Sequence, residues 1–462
     1  MFKYIIGSIV AVVAAISSWC YHKWDVWFNN GTEKAYSVCC TPDRLMLTPS
    51  DSSSTSRNVS WLCDTIVRPS HLLLVDKASS DTSVVCAEGE VYASRAGRAA
   101  YYVCRLRNLI AGHSYSYCAV TGNASSKWHS FSIPDAPDEC TFLYLGDIQD
   151  TIGGIMHSVI DTIISRQPHF DLLALGGDLV QEAADNFWQE AMYDIDSIRQ
   201  TTPVINIPGN HEYFKGLPVS LERRFSLVFS YFLDSEIGHD EDSPWSGSQV
   251  FTTTLANVQF FCLDGNRELP YLISQRSWLE EQLQQSTARW KIVLIHQPLF
   301  SIRNSNNNLI QRYVFADLLS EYGVDLVLQA HEHAYSRYFE ASSDTLLSPV
   351  YTISHCSRKH YHIEFDDRFH KFGCGDYYYQ MIHASADSLV MSTYRIANDS
   401  TLATSLYDAL TLVKTTPSQQ HATIIDNGSA IKETVFNADH PAGVKFEARI
   451  DNYKKSHPER FQ

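Results

Sequence analysis

The segment Val204-Ile205-Asn206-Ile207-Pro208-Gly209-Asn210-His211-Glu212 decides the interpretation of this chain, because a short apolar run leads directly into a cluster of polar side chains. Four other apolar runs end in a similar way, at Gly146-Asp147, at Gly176-Gly177-Asp178, at His296 and at His331-Glu332-His333. The carboxyl ends of parallel strands meet at one edge of a sheet, and ligands bind there. We therefore expect these polar groups to lie together at one edge of a parallel sheet.

The runs around this segment alternate between strand and helix patterns. Predicted strands occupy residues 141–145, 171–175, 203–207, 258–263, 290–295 and 324–328, and predicted helices occupy residues 155–164, 182–198, 274–285 and 309–322. Further strands are predicted at 350–353, 378–382 and 388–394. This alternation predicts parallel strands with helices packed on the sheet, in a domain covering residues 139–407. The extension at 408–462 adds a strand, wraps the surface or is partly flexible.

The composition is that of a folded protein with more than one domain. Its 462 residues exceed what one simple core contains, and 44% hydrophobic with 12% aromatic residues exclude a disordered chain. The formal charge of −16 argues against a nucleic-acid backbone as the partner. A phosphorylated substrate is compatible with this charge, because bound metal ions reverse the field locally.

The N-terminal segment, residues 1–22, has the pattern of a signal peptide or a membrane anchor. Lys3 precedes an apolar run from Ile5 to Trp19 that only glycine and serine residues interrupt. A buried strand or helix of the first domain is the alternative. We expect a protein that is secreted, periplasmic or anchored on the outer side of a membrane.

Residues 36–133 are predicted to form an all-β domain. Short β-rich runs, such as Leu72 to Val75 and Ala100 to Cys104, alternate with turn-rich segments. This spacing is typical of sandwiches of the immunoglobulin or fibronectin type. Cysteines lie in several of these runs, either as small apolar core residues or as disulfide partners. A stiff linker is expected at 133–138.

Six side chains at the predicted strand ends are of the types that bind hard metal ions, which prefer carboxylate, carbonyl and imidazole ligands. They are Asp147, Asp178, Asn210, His296, His331 and His333. Alone, each is more often a loop residue or a helix cap. The complete set supplies ligands for two ions about 3.5–4 Å apart, which a two-oxygen carboxylate can bridge.

The order of these motifs resembles that of the calcineurin-like metallophosphoesterases. The segment from Arg105 to Tyr117 is in addition similar to the late strands of the N-terminal domain of purple acid phosphatases. The resemblance covers about residues 36–395. It implies an αββα catalytic domain preceded by a β-sandwich, and it implies hydrolysis of a phosphorylated small molecule by a metal-held hydroxide.

The resemblance also implies a role for each motif residue. Asp147 and His333 would bind the first metal, Asp178 would bridge, and Asn210, His296 and His331 would bind the second. His211 would lie near the substrate phosphate, as a proton donor or a stabiliser of the transition state. Glu212 is expected to be a partner of His211, and Glu332 is expected to have no role.

Three positions depart from the family pattern. Gln181 stands where purple acid phosphatases carry a metal-binding tyrosine, so divalent zinc, manganese or iron is expected rather than Fe(III). Gln149 stands where many metallophosphoesterases have a histidine ligand, and it is either a ligand or a buried structural amide. Arg303 and the asparagine-rich run after it replace the histidines of plant-type relatives, and they either contact substrate or form a polar loop.

These observations predict a dinuclear, metal-dependent phosphomonoesterase of the acid phosphatase kind. The same site acting on phosphodiesters or nucleotides is the first alternative. A non-catalytic surface-binding protein is a distant alternative, and the complete ligand set argues against it.

Overall fold

The computed structural model describes residues 2–35, 38–50, 54–135, 138–231, 248–303, 308–340, 347–427 and 441–461. The middle of the predicted linker, residues 136–137, and most of the asparagine-rich run, residues 304–307, lie outside the described residues.

The chain begins with helix α1, Phe2–Phe28. Trp19, Tyr21 and Trp24 are exposed on this helix. No helix among the described residues combines the length and the apolar character that crossing a membrane requires.

Two β-sheets follow and enclose a core of their own. Their strands are β1 Asp43–Pro49, β2 Arg57–Leu62, β3 Ser70–Asp76, β4 Thr82–Cys86, β5 Glu88–Ser94, β6 Gly97–Leu106, β7 Ser114–Thr121, β8 Ala124–Ser125 and β9 His129–Ser132. One sheet has the order β1-β2-β6-β5, and the other has the order β4-β3-β7-β8 with β9 paired to β7.

Alternate residues of the sandwich strands point into this core, as the two-residue period of a strand requires. Trp61 and Tyr102 stack there with ring centroids 5.6 Å apart, and both are buried. Cys63 and Cys104 are buried beside them. None of the eleven cysteines is paired, and Cys63 and Cys104 pack as small apolar residues of the core.

The second part of the chain alternates strands and helices. Its first half contains β10 Cys140–Leu145, α2 Met156–Arg166, β11 Leu172–Leu175, α3 Asp185–Asp194, α4 Asp196–Arg199, β12 Val204–Asn206, β13 Tyr213–Phe214, β14 Ser220–Leu221 and α5 Arg224–Val228. The predicted helix 182–198 is therefore two helices, which meet at Ile195.

The second half continues this alternation and ends in a meander of strands. It contains β15 Phe251–Leu255, β16 Val258–Leu263, α6 Leu269–Gln285, β17 Trp290–Ile295, α7 Leu309–Glu321, β18 Leu326–Gln329, β19 Tyr335–Tyr338, β20 Val350–Ile353, β21 Lys371–Gly373, β22 Tyr377–Ala384, β23 Ser388–Ile396, β24 Thr404–Val413, β25 Thr423–Asp426 and α8 Pro441–Ser456.

These strands form two seven-stranded sheets, with the orders β12-β11-β10-β22-β23-β24-β25 and β15-β16-β17-β18-β20-β19-β21. The neighbours β10, β11 and β12 are parallel, as are β16, β17, β18 and β20. The sheets pack face to face, and the rings of Phe142 and Phe260 meet between them with centroids 5.1 Å apart. On β16, Phe260 and Cys262 belong to this inner core, whereas Phe261 and Leu263 belong to a second core with α6 and α7. The predicted fold class, an α/β sandwich preceded by an all-β sandwich, is confirmed.

The predicted boundary between residues 407 and 408 needs correction, because it falls inside β24. This strand pairs with β23 from Ser388↔Val413 to Ile396↔Thr404, and β25 extends the same sheet. Beyond them, α8 buries Phe446 and Ile450 in the second core. The C-terminal residues therefore complete the two layers and do not form a separate extension.

Candidate metal centre

Five strand ends converge at one edge of the two sheets. Asp147 follows β10, Asp178 follows β11, Asn210 follows β12, His296 follows β17, and the pair His331 and His333 follows β18. A parallel strand that is buried on both faces is a continuous apolar run. The first polar residue after such a run therefore marks the end of the strand at the edge of the sheet.

The backbone bends sharply at four of these residues. The φ angles of Asp147, Asp178, His331 and His333 are 35°, 52°, 72° and 47°, in the left-handed region that side chains other than glycine seldom adopt. Gly209 is required beside them, since a Cβ atom there would lie 2.1 Å from the backbone nitrogen of Asp178. Such clustered strain is typical of sites where the loop geometry serves a ligand.

The ligand-type atoms form two overlapping groups. Asp147, Asp178 and His333 make one group, and Asp178, His296 and His331 make the other, with all atoms of a group within 4.8 Å of one another. The Asp178 carboxylate is common to both groups. Asn210 joins the second group, because its Oδ1 lies 3.3 Å from His296 Nε2.

Backbone carbonyls orient two of the imidazoles. His296 Nδ1 lies 2.8 Å from the carbonyl oxygen of Gly176, and His333 Nδ1 lies 3.0 Å from that of Lys359. Each contact fixes the ring and leaves Nε2 directed at a carboxylate, 3.4 Å from Asp178 and 3.8 Å from Asp147 respectively. This is the arrangement that metal-binding histidines adopt.

Several buried oxygens at this edge have no hydrogen-bond partner. Asp147 Oδ1 and Gln149 Oε1 are both buried and unsatisfied among the described residues. Burial raises the pKa of Asp147 well above its usual range, the nearby His296 opposes this, and the Asp178 carboxylate adds to it. Buried and unsatisfied carboxylate and amide oxygens are costly unless a cation binds them. The donor set therefore fits two metal ions.

Gln149 is held against the shared carboxylate. Its Nε2 donates to Asp178 Oδ2 at 3.3 Å, and its Oε1 is the unsatisfied atom. The structure thus places this side chain at the centre with its oxygen available.

His211 lies beside the two groups without belonging to either of them. Its Nδ1 is 2.5 Å from the carbonyl oxygen of Gln181, and its Nε2 is 3.9 Å from Asp178 Oδ2. The side chain is 24% exposed, in contrast to the buried carboxylate. Gln181 contributes its main chain here, and its side chain is an uncharged amide.

The predicted partnership of Glu212 with His211 is wrong. The Glu212 carboxylate is fully buried and accepts hydrogen bonds from the backbone nitrogens of Asp178, Leu179, Val180 and Gly209. These bonds hold together the two loops that carry Asp178 and Asn210. Glu212 therefore positions the loops and not the imidazole.

The prediction that Glu332 has no role is also wrong. Its buried carboxylate accepts hydrogen bonds from Ser301 Oγ, from the Ile302 nitrogen at 2.7 Å and from the Arg303 nitrogen at 3.1 Å. Sequence reasoning missed this contact because the bonds go to main-chain groups of a distant loop. It also missed Tyr361, whose ring lies 4.6 Å from that of His333.

A cleft of about 700 Å³ opens beside Asn210 and His211. Part of its wall comes from the segment after α1, where Asn30 Oδ1 accepts a hydrogen bond from the Lys215 nitrogen at 2.6 Å and Asn30 Nδ2 donates to the Lys215 carbonyl. The cleft therefore adjoins both Asn210 of the second group and His211.

Known proteins are similar to this chain in sequence and in fold. Residues 140–335 match the sequence model of the calcineurin-like phosphoesterase family. An uncharacterized protein of Mycobacterium tuberculosis is 27% identical over an alignment of 353 residues, which covers 68% of this chain and 64% of that protein. Purple acid phosphatase 18 of Arabidopsis thaliana is 26% identical over an alignment of 232 residues, which covers 47% of this chain and 48% of that protein. The solved structure of purple acid phosphatase PPD1 from yellow lupin, Lupinus luteus, has the same fold at 15% identity, with a TM-score of 0.64 and coverage of 80% of this chain and 74% of that one.

Proposed function

Since residues 140–335 belong to the calcineurin-like phosphoesterase family, we propose that this chain is a phosphoric ester hydrolase with two metal ions, acting on phosphomonoesters in the manner of an acid phosphatase. The observation that carries the proposal is the Asp178 carboxylate, which is common to two groups of ligand-type atoms. A shared carboxylate is the feature that a dinuclear centre needs.

The ligands divide between two positions that meet at Asp178. Asp147, His333 and the amide oxygen of Gln149 would hold the first ion, and Asn210, His296 and His331 would hold the second. The unsatisfied oxygens of Asp147 and Gln149 support the first group. The set contains two carboxylates and no phenolate at position 181, which favours divalent ions over Fe(III).

The bound ions would polarise the phosphoryl oxygens and lower the pKa of a coordinated water. Within this chain, His211 is the residue placed to handle a proton. The Gln181 carbonyl engages its Nδ1, so Nε2 faces the space beside Asp178 and the open cleft. From there, the protonated imidazolium can donate its Nε2 proton to the leaving oxygen of the ester, which leaves the neutral ring with Nδ1 still bonded to the Gln181 carbonyl.

The remaining assignments follow the organisation of the chain. We assign the strands from Asp43 to Ser132 to an N-terminal β-sandwich domain, and the two-layered part from Cys140 onwards to the catalytic domain. The chain spans 64% of the length of the mycobacterial relative. We also propose that residues 1–22 direct export or anchor the protein to a membrane, because they contain the apolar run from Ile5 to Trp19. N-terminal sequencing of the protein recovered from each cell fraction tests it.

The decisive test is turnover of p-nitrophenyl phosphate by the purified protein before chelation, after chelation and after readdition of Zn²⁺ or Mn²⁺. We expect activity that chelation removes and metal restores, with two ions per chain by mass spectrometry. The bis-ester, bis(p-nitrophenyl) phosphate, should be the poorer substrate. Turnover that persists in the metal-free protein would contradict the metal mechanism, and preference for the bis-ester would assign the site to phosphodiesters.

A further inference from the structure

Two cationic residues outside the ligand set are connected to His333, a candidate ligand of the first ion. The guanidinium carbon of Arg303 lies 3.7 Å from the ring centroid of Tyr361. The Tyr361 ring in turn lies 4.6 Å from that of His333. The guanidinium is thus stacked on an aromatic ring that contacts a candidate ligand, an arrangement that fixes its plane.

The loop that carries Arg303 is tied to the histidine motif. Glu332 accepts the hydrogen bonds from Ser301, Ile302 and Arg303 described above, and it lies between His331 and His333 in the sequence. The position of Arg303 is therefore fixed relative to the metal ligands by a buried carboxylate. A solvated polar loop would not need such a connection.

Lys359 supplies the second cation from another loop. Its carbonyl oxygen accepts from His333 Nδ1, and its side chain is half-buried. The main chain of Lys359 is therefore fixed beside a candidate ligand, and its flexible four-carbon side chain starts next to the first metal position.

Neither cation forms an ion pair with another described residue. Among the described residues, no carboxylate lies within 4.0 Å of the charged end of Arg303 or of Lys359. Acidic residues outnumber basic residues in the chain, 52 to 36, so a shortage of carboxylates does not explain why these two cations lack an ion-pair partner. Cations left unpaired beside a metal centre are suited to an anionic ligand.

We propose that Arg303 and Lys359 bind a second anionic group, a phosphate or a carboxylate, on the leaving group of the substrate. A guanidinium offers two parallel N–H donors to such a group, and an ammonium adds a point charge. The inference rests on the proposed function and narrows its substrate class to phosphate monoesters and phosphoanhydrides whose leaving group carries a further negative charge, of which nucleoside diphosphates are an example of the anhydride kind.

The kinetic test compares substrates that differ by one anionic group. ADP is paired with AMP, and 4-carboxyphenyl phosphate is paired with phenyl phosphate, so that the responding pair identifies the group. For Arg303→Gln and for Lys359→Met, kcat/KM on the doubly anionic member should fall by about 10-fold or more, and on its partner by less than about 3-fold. Arg312→Gln is the matched control, since this guanidinium is also stacked, 4.4 Å from the Phe300 ring centroid, but lines a different cleft. Equal losses on both members of each pair, or no loss, would overturn the proposal.

A binding measurement separates this proposal from the proposed function. Calorimetry on the metal-loaded protein should show pyrophosphate binding more tightly than phosphate, and Arg303→Gln should reduce that ratio by about 10-fold. A wild-type protein that hydrolyses no ester but keeps this ratio would refute the proposed function and support the anion subsite. Equal affinities in the wild type and the variant would refute the subsite, whatever the turnover.

Discussion

Replacing Glu212 by glutamine tests how the site is held together. Both carboxylate oxygens of Glu212 are used, with Oε1 accepting from Leu179 and Val180 at 2.6 and 3.1 Å and Oε2 accepting from Asp178 and Gly209 at 3.0 and 2.7 Å. The substitution keeps the shape of the side chain but turns one oxygen into an NH₂ group. That group would face two backbone N–H donors.

The expected cost follows from these contacts. In either orientation of the amide, two hydrogen bonds to a charged acceptor are lost, and each contributes about 1.5–3 kcal/mol. We therefore expect Glu212→Gln to lower the free energy of unfolding by about 3–6 kcal/mol, a large part of the roughly 5–15 kcal/mol that holds a typical protein folded. The loops carrying Asp178 and Asn210 would separate, so metal content should fall as well.

Urea unfolding followed by fluorescence measures the change in stability, and mass spectrometry counts the ions. Glu321→Gln, at an exposed position on α7, is the control and should change the unfolding free energy by less than about 0.5 kcal/mol. A loss below about 1 kcal/mol for Glu212→Gln, with two ions still bound, would show that the four bonds contribute little and would refute the reasoning.

Four further predictions concern other residues of the chain. Asp178→Asn removes the shared carboxylate, so turnover should disappear and metal analysis should find fewer than two ions per chain; normal activity would exclude the bridging role. His211→Ala should keep the metal content but lower kcat by about 10²–10⁴-fold, and loss of both ions would instead make this residue a ligand. With Gln181 in place of a phenolate, the purified protein should be colourless, and an intense visible band accompanied by tightly bound iron would contradict this. Burial, followed by the charge of Glu190, raises the pKa of Asp194 to about 7. The contribution of Asp194 to the free energy of unfolding is therefore complete below its unfolded-state pKa and is lost as the pH rises toward 7, by at most about 1.4 kcal/mol per pH unit. Between pH 5 and pH 7.5, Asp194→Asn should lose less unfolding free energy than the wild type. Parallel curves of unfolding free energy against pH for the two proteins would contradict this.

The two-layered fold could be predicted because its central strands are buried on both faces. Continuous apolar runs such as Phe260 to Leu263 lack the periodic pattern of an amphipathic helix, so they are recognised as buried strands. Each run ends at a polar residue that marks the edge of the sheet. The candidate ligands were found for the same reason, since their positions depend on where strands end.

The C-terminal boundary could not be predicted because β24 carries a buried charge. Asp408 accepts hydrogen bonds from Arg337 Nε and from the Tyr335 hydroxyl, both at 2.7 Å. A carboxylate within an otherwise alternating run reads as a surface residue until its partners on another strand are known. The roles of Glu212 and Glu332 were hidden in a similar way, because backbone N–H groups of distant loops leave no mark on the sequence.

The left-handed backbone at Asp147, Asp178, His331 and His333 sets a limit on engineering this protein for heat resistance. Glycine at any of these positions would release conformational strain of the order of 1 kcal/mol, and a search guided by stability alone would select it. Each such change would also delete a candidate ligand. Thermostable variants that keep the metal centre should therefore carry their substitutions on the helices and the sandwich, and should keep the strained backbone at these four residues.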